Sequence, residues 1–87
     1  MGTDVETVEL ARTLTRLWAE VLGTEDVTAD SNFFAFGGDS ALGVELTFLI
    51  ASETGESVSM RLLADAPTPA GLAAALRERA AKRVESG

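Results

Sequence analysis

The sequence predicts an all-α fold, a small bundle of three to four helices with a long first loop. Apolar residues recur at helical spacing along most of the chain, and the sustained apolar–polar alternation typical of strands is missing from the sequence. The 87 residues, 46% hydrophobic and 24% charged, have the composition of one globular domain. We expect a single domain over residues 1–87, with a folded core at about residues 5–80 and a frayed tail at 81–87.

The first predicted helix starts with a capping-box pattern at Thr3 and ends at Gly23, which can adopt the positive φ of a helix C-terminus. Residues 24–38 form the long loop, and its three aromatic side chains are predicted to anchor it to the core. These aromatic residues are Phe33, Phe34 and Phe36. The side chains that we assign to the core itself are Leu14, Trp18, Phe33, Phe34 and Leu76.

The second predicted helix runs from Ser40 to about Thr54 and stops at Gly55. On a helical wheel at about 100° per residue it has two apolar arcs. The core-facing arc consists of Leu42, Leu46 and Leu49, with Ile50 at its margin. The second arc, roughly 100–160° from Leu42, consists of Ala41, Val44 and Phe48. Because a bundle this small leaves one side of the helix exposed, the second arc is predicted to bind partner proteins, with burial in a wrapped core as the alternative.

A short third helix is predicted after Ser57 or Ser59, either of which can be its N-cap, and it must end before Pro67. Met60 at its start is a candidate for the same partner surface, since thioether side chains adapt to several partners. A gap-filling place in the core is the alternative for Met60. Thr68 followed by proline predicts the start of the last helix.

Acidic residues dominate the chain, which has a formal net charge of −7 and a pI near 4.3. Residues 1–65 hold 12 acidic and 3 basic side chains. Such a chain repels phosphate backbones and anionic headgroups, which argues against nucleic-acid and membrane-surface roles. The acidic part is either a solvated surface or a surface that steers basic protein partners. Since no targeting pattern or membrane-spanning run is visible, we expect a cytoplasmic protein, and we expect it to be monomeric.

The choice of reactive side chains is narrow, because the chain contains no cysteine and no histidine. This excludes thiolate nucleophiles and imidazole bases. In the segment Gly37-Gly38-Asp39-Ser40, the glycines permit a sharp turn, Asp39 is a strong N-cap residue, and Ser40 falls in the first turn of the second helix. The positive end of the helix dipole there favours a negatively charged substituent such as a phosphodiester. An ordinary loop-to-helix junction is the alternative interpretation.

Other kinds of site do not match this segment. A hydrolase nucleophile elbow needs its second glycine one residue before Gly43, and no histidine is present to activate the hydroxyl. A phosphate-binding P-loop needs Gly-Lys-Ser/Thr, and an EF-hand needs a carboxylate spacing that Asp26 and Asp30 do not follow. The sequence therefore predicts that Ser40 is the acceptor of a modification and not a catalytic residue.

Three stretches of the sequence together resemble a known family: residues 17–23 with Trp18, residues 32–40 with the Gly-Gly-Asp-Ser segment, and residues 63–72 with Pro67. They resemble the peptidyl carrier (thiolation) proteins of nonribosomal peptide synthesis, and the resemblance covers about residues 10–76. It implies an acyl-carrier-protein-like bundle. It also implies that a phosphopantetheinyl transferase attaches phosphopantetheine from coenzyme A to Ser40.

The resemblance further implies a non-catalytic carrier. The thiol of the attached arm holds an aminoacyl or acyl group as a thioester, which an adenylation enzyme loads and downstream condensation or tailoring enzymes use in natural-product (antibiotic) biosynthesis. Gly37, Gly38 and Asp39 complete the attachment site. Asp39 has two plausible tasks, capping the helix and helping to position the transferase or its magnesium.

Two departures from the family pattern concern partner identity. The family commonly has Leu before the two glycines and Leu or Ile after the serine, where this chain has Phe36 and Ala41. Asp39 is shared with the acyl carriers of fatty acid and polyketide synthesis. An acyl carrier of such a pathway is therefore one alternative, and a non-covalent helical adaptor, in which Ser40 belongs only to a helix start, is the other. Both a free-standing carrier and a module of a larger synthetase fit the sequence.

Overall fold

The computed structural model describes the backbone of residues 5–86 and the side chains of residues 5–82. Four helices occupy this range, and no strand lies within it. They are α1 (Val5–Leu22), α2 (Ser40–Thr54), α3 (Met60–Asp65) and α4 (Pro69–Ser86). The all-α prediction with a long first loop is confirmed. The predicted capping box begins at Thr3, which lies outside the described residues.

The core lies where α1 packs against α4 and α2, with α3 closing one side against α2. Trp18 and Phe33 are fully buried at its centre, with ring centroids 5.8 Å apart in an edge-to-face arrangement. Aliphatic side chains from all four helices surround them. The fully buried leucine and isoleucine side chains among the described residues are Leu14, Leu17, Leu46, Ile50, Leu63, Leu72 and Leu76. The core assignment of Leu14, Trp18, Phe33 and Leu76 is thereby confirmed.

The long loop is anchored by one aromatic side chain, not three. Phe33 is completely buried, whereas Phe34 and Phe36 are 38% and 42% exposed, so the core assignment of Phe34 and the anchoring role of Phe36 are wrong. The Asn32 side-chain oxygen accepts hydrogen bonds from the backbone N–H groups of Phe34 (2.9 Å) and Ala35 (3.1 Å). This closes a tight turn immediately after Phe33. The Phe34 ring still packs edge-to-face against the Phe33 ring, with centroids 5.4 Å apart, but remains partly exposed to solvent, as does Phe36.

Two backbone carbonyls, those of Pro67 and Ala29, tie the loop to the bundle. The Pro67 oxygen accepts hydrogen bonds from the backbone N–H of Phe33 (2.9 Å) and from the indole N–H of Trp18 (3.1 Å). A second backbone bond joins Ala70 N–H to the Ala29 carbonyl at 2.9 Å. The loop therefore has a fixed path over α1 and the start of α4, and its last residues enter α2 in a defined direction.

The buried face of α2 is rotated relative to the prediction. Its fully covered residues are Gly43, Leu46 and Ile50, while Leu42 and Leu49 are half-buried. Ile50 is thus central to the face and not marginal. The rotation arises because Gly43 has no side chain and lets α3 approach α2 on that side. Since glycine adds no apolar side chain to the helical wheel, the pattern does not predict this contact.

The helix termini agree with the predicted signals. Gly23 and Gly55 end α1 and α2 with φ of 71° and 77°. Ser59 caps α3 through a 3.0 Å bond from the Leu62 N–H to its hydroxyl oxygen, and Thr68 accepts a bond from the Gly71 N–H in the same way at 3.0 Å. Helix α4 has helical geometry beyond residue 80, as far as Ser86, so the fraying of residues 81–87 stays a prediction, and residue 87 lies outside the described range.

Candidate functional site

The site is built at the first turn of α2. Asp39 is its N-cap, with extended backbone angles (φ −132°, ψ −172°), and its side-chain oxygen accepts a 2.9 Å hydrogen bond from the Leu42 N–H. The Asp39 carbonyl accepts the first intrahelical bond, from the Gly43 N–H at 2.7 Å. Ser40 is the first helical residue and is exposed. Its own N–H belongs to the first turn, where an α-helix has no intrahelical acceptors to offer.

The two glycines before Asp39 meet two different requirements. Gly37 has a φ of +99°, a backbone conformation that side chains with a Cβ rarely adopt. Gly38 has an ordinary φ but lies directly on the ring of Phe33, and a Cβ at this position would approach the Phe33 carbonyl oxygen to 2.7 Å. The Gly38 N–H bonds to that same carbonyl at 2.9 Å. The chain therefore passes tightly over the buried Phe33 and then presents Ser40 on the outside.

Exposed apolar side chains continue from Ser40 along α2. Val44 and Phe48 are 57% and 72% exposed, and Ala41 is exposed as well. Residues 40, 44 and 48 follow one another at helical spacing, so the serine stands at one end of an apolar stripe. The exposure predicted for this arc is therefore observed, whereas its role in binding partners stays a prediction. The exposed ring of Phe36 lies in the loop just before the serine.

Met60 was predicted either on the partner surface or in the core, and it has features of both. It is half-buried and packs against the core. Its thioether contacts the bare backbone of Gly43, one turn along α2 from Ser40. This contact was not predicted from the sequence, in which Gly43 counts only against a nucleophile elbow. A glycine inside an otherwise apolar helix is the signal that could have revealed it, because such a residue marks a close approach of another element.

The charge around the site is mainly negative. Asp39 and Glu45 are exposed on or next to the first two turns of α2, and Arg61 is an exposed cation on α3. Among the described residues no group of three or more Asp or Glu side chains has the geometry of a metal site. Two grooves, one at Arg16 and Gly23 and one at Glu56 and Arg79, lie away from Ser40.

These residues fit a covalently attached phosphodiester. The Ser40 side chain is accessible to a second protein, and the N-terminal end of α2 favours a negative charge on its oxygen. Neither histidine nor cysteine is present anywhere in the chain to activate the hydroxyl. The arrangement suits an acceptor that an external enzyme modifies.

Comparison with known proteins gives the same picture. The family model "Phosphopantetheine attachment site" matches residues 12–76. Surfactin synthase subunit 3 of Bacillus subtilis is 36% identical over 69 residues, which are 79% of this chain but 5% of that protein. The chain thus corresponds to a small part of the curated relatives that it matches.

No helix in the described part of the chain is long and apolar enough to cross a membrane.

Solved structures of carrier proteins share the fold. A structure described as a nonribosomal PCP domain is 42% identical, with a TM-score of 0.68 over 76% of this chain and 84% of that one. BlmI of Streptomyces verticillus, described as a type-II acyl carrier protein involved in bleomycin biosynthesis, is 27% identical, with a TM-score of 0.78 over 84% of this chain and 88% of that one. The family model covers most of the chain, and these relatives agree with it. The chain therefore belongs to the phosphopantetheine-binding carrier family and is a carrier protein domain of the nonribosomal peptide synthetase type.

Proposed function

We propose that Ser40 is the residue to which phosphopantetheine is attached, and that the chain carries an aminoacyl or peptidyl intermediate as a thioester. One observation carries the proposal: Ser40 is the exposed first residue of α2, directly after its Asp39 cap. A hydroxyl at this position is accessible to an enzyme. The phosphodiester formed there lies at the helix end that stabilises negative charge.

The modification balances as a phosphoryl transfer. A bond forms between Ser40 Oγ and the phosphorus next to the pantetheine of coenzyme A, and the pyrophosphate bond of coenzyme A breaks. The adenosine bisphosphate half leaves, and the hydroxyl proton passes to a base on the phosphopantetheinyl transferase. The chain itself has no histidine to act as that base, which supports its role as a substrate and not as an enzyme.

The contribution of the chain is to hold the modified serine in a fixed place. Asp39 caps α2, and the contact of Gly38 with Phe33 fixes the approach of the loop. When bound, phosphopantetheine supplies the thiol that the sequence lacks. Tethering an intermediate in this way raises its effective concentration at each partner site, and this requires a stable anchor and no catalysis by the carrier.

The surface around Ser40 is proposed to contact the partner enzymes. Ala41, Val44 and Phe48 form an exposed apolar arc, and Met60 on α3 packs at Gly43, on the other side of Ser40. Single exposed apolar residues are common, but several on one helix face next to the reactive residue favour a docking surface. We assign to this surface the phosphopantetheinyl transferase, the adenylation enzyme, and the condensation or tailoring enzymes that act later.

A peptidyl rather than an acyl cargo is the preferred assignment. The nonribosomal PCP domain is the more similar of the two solved structures in sequence, at 42% against 27% for BlmI. BlmI is described as an acyl carrier protein, so an acyl cargo is the second candidate for this chain. Loading assays on the modified protein separate the two, because aminoacyl transfer by an adenylation enzyme is expected and transfer of a malonyl group by an acyltransferase would support the acyl carrier.

Intact mass spectrometry tests the attachment. The protein is incubated with coenzyme A and a phosphopantetheinyl transferase of broad specificity, and we expect a mass gain of one phosphopantetheine. Ser40→Ala should gain nothing, whereas Ser52→Ala, which changes an exposed serine on the same helix, should gain as much as the wild type. Equal modification of the Ser40→Ala protein, or no modification of the wild type, would refute the proposal.

A further inference from the structure

Helix α3 packs closely against the helix that carries Ser40 where Met60 meets Gly43. A Cβ at residue 43 would lie 2.7 Å from the Met60 terminal methyl group, 3.0 Å from its sulfur and 3.5 Å from a methyl group of Leu63. The first two distances are shorter than van der Waals contact. The thioether of Met60 therefore occupies the space that any side chain at residue 43 would need.

The same contact holds α3 in place. Helix α3 has only six residues, and its main helix partner is α2. Leu63 is fully buried, while Met60 is half-buried at the outer edge of the α2–α3 contact. The inner part of α3 is thus fixed by the core, whereas the position of its first residue depends on Gly43.

Gly43 is also next to the attachment site on the helix surface. It follows Ser40 by three residues, a spacing that places two side chains on neighbouring positions of one face. On an ideal wheel Ser40 lies between Gly43 on one side and Val44 on the other, about 60° and 40° away. Met60 on Gly43 and the exposed Val44 therefore border the serine from opposite sides.

We propose that Gly43 is a positioning residue: by leaving room for the Met60 thioether, it sets the shape of the surface that partner enzymes contact beside Ser40. The inference rests on the proposed function, since it concerns the docking surface of that site. Met60 is unbranched and flexible, so a side chain at residue 43 displaces its outer end without forcing the backbone apart. The displaced thioether then stands in the path of a partner that approaches Ser40.

The test is a double-mutant cycle on the modification reaction. The rate of phosphopantetheine attachment is measured against the concentration of the carrier for the wild type, Gly43→Ala, Met60→Ala and the double variant. We expect Gly43→Ala to raise KM for the carrier about fivefold with little change in kcat. In the Met60→Ala background, where the space is already empty, the same Gly43→Ala change should alter KM less than about twofold.

Two controls separate positioning from a change in folding. Ser52→Ala raises the helix propensity of α2 at an exposed position and should leave KM unchanged. The melting temperature of Gly43→Ala should stay within about 3 °C of the wild type, since the gain in helix propensity offsets the displaced contact. The chain has two methionines, so the methyl NMR signal of Met60 is readily assigned, and Gly43→Ala should shift it.

The outcomes distinguish this inference from the proposed function. If the wild type gains no phosphopantetheine, the proposed function fails. If the wild type is modified normally but Gly43→Ala leaves KM or the Met60 methyl signal unchanged, only the positioning role fails. A rise in KM that persists undiminished in the Met60→Ala background also overturns it, because the effect would then not act through the thioether.

Discussion

At the residue scale, Gly37 and Gly38 are adjacent but are required for different reasons. Gly37 needs its positive φ, and no other group lies near the space that a side chain would occupy there. Gly38 needs the space itself, which Phe33 fills. A sequence pattern of two glycines predicts a turn but does not distinguish these requirements, because the second depends on which ring the turn covers.

Substitution of Gly38 should therefore be the more damaging of the two. We expect Gly38→Ala to lower the free energy of unfolding by about 2–3 kcal/mol, since the new Cβ overlaps the Phe33 ring and backbone carbonyl. Gly37→Ala should cost about 1–2 kcal/mol because of its positive φ, and Gly37→Asn less than that. Urea unfolding followed by circular dichroism measures these changes. A Gly38→Ala protein as stable as the wild type would contradict the close contact.

The cap of α2 gives a second residue-scale prediction. Asp39→Ala should lose about 1 kcal/mol of stability, because the Leu42 N–H loses its acceptor, whereas Asp39→Asn keeps an acceptor oxygen and should lose at most a few tenths. Urea unfolding of the two variants checks the capping role. The rate of phosphopantetheine attachment to the Asn variant then examines the second role, since a slower rate at unchanged stability would assign the carboxylate charge to the transferase reaction.

At the element scale, the sequence predicts helix boundaries better than side-chain directions in loops. Helix α2 begins at Ser40 and ends at Thr54, as its cap residue and following glycine indicate. By contrast, Phe33 is buried while Phe34 and Phe36 are exposed, although all three have the same side chain. An irregular loop has no period from which direction can be read, and the deciding contacts with Trp18 and Pro67 come from distant parts of the chain.

The same limit applies to the candidate site. Ser40 and its cap are recognisable in the sequence because capping is a local property. The two apolar arcs of α2 follow from helical periodicity, and the exposed arc with Val44 and Phe48 lies where it is predicted. The rotation of the buried arc toward Ile50 depends on tertiary packing, including that of α3 against α2 at Gly43, which the periodicity of α2 does not contain.

The two faces of α2 should respond differently to substitution. Phe48→Asp removes a side chain that is 72% exposed, so stability should change by about 0.5 kcal/mol or less and helical circular dichroism should persist. Loading by the adenylation enzyme should nevertheless weaken, because an apolar contact is replaced by a charge. A change on the buried face, Leu46→Ala, should cost about 2–5 kcal/mol. Unfolding of the Phe48→Asp protein would assign this residue to the core.

At the scale of the whole molecule, buried contacts and not surface charges hold the bundle together. Arg16 bonds to Glu53 across α1 and α2 at 2.8 Å, and Arg79 approaches Glu56 to 3.3 Å, but the paired side chains are 57%, 45%, 40% and 30% exposed. Ion pairs with this exposure contribute about 0–1 kcal/mol each. The charge of the chain therefore has more influence on its encounters with other proteins than on its stability.

The net charge of −7 leads to a prediction about association. The acidic excess lies within residues 1–65, which include the loop and the helix that carry Ser40. If basic partner surfaces are steered by this field, raising the salt concentration shortens the Debye length from about 10 Å at 0.1 M to about 5 Å near 0.5 M and slows the encounter. We expect kcat/KM for phosphopantetheine attachment to fall several-fold over this range, with kcat nearly constant.

A charge variant tests whether the salt dependence of kcat/KM comes from charges on the helix that carries Ser40. Glu45 is exposed on α2 between the core face and the apolar arc, so Glu45→Gln removes one negative charge near Ser40 without disturbing a buried contact. Its salt dependence should be shallower than that of the wild type. Glu78→Gln removes one charge from an exposed position on α4 and should retain the dependence of the wild type, because screened charges act only over about a Debye length. Equally shallow slopes for the two variants would instead assign the effect to net charge alone, and a rate independent of salt would show that encounter relies on the apolar arc without electrostatic steering.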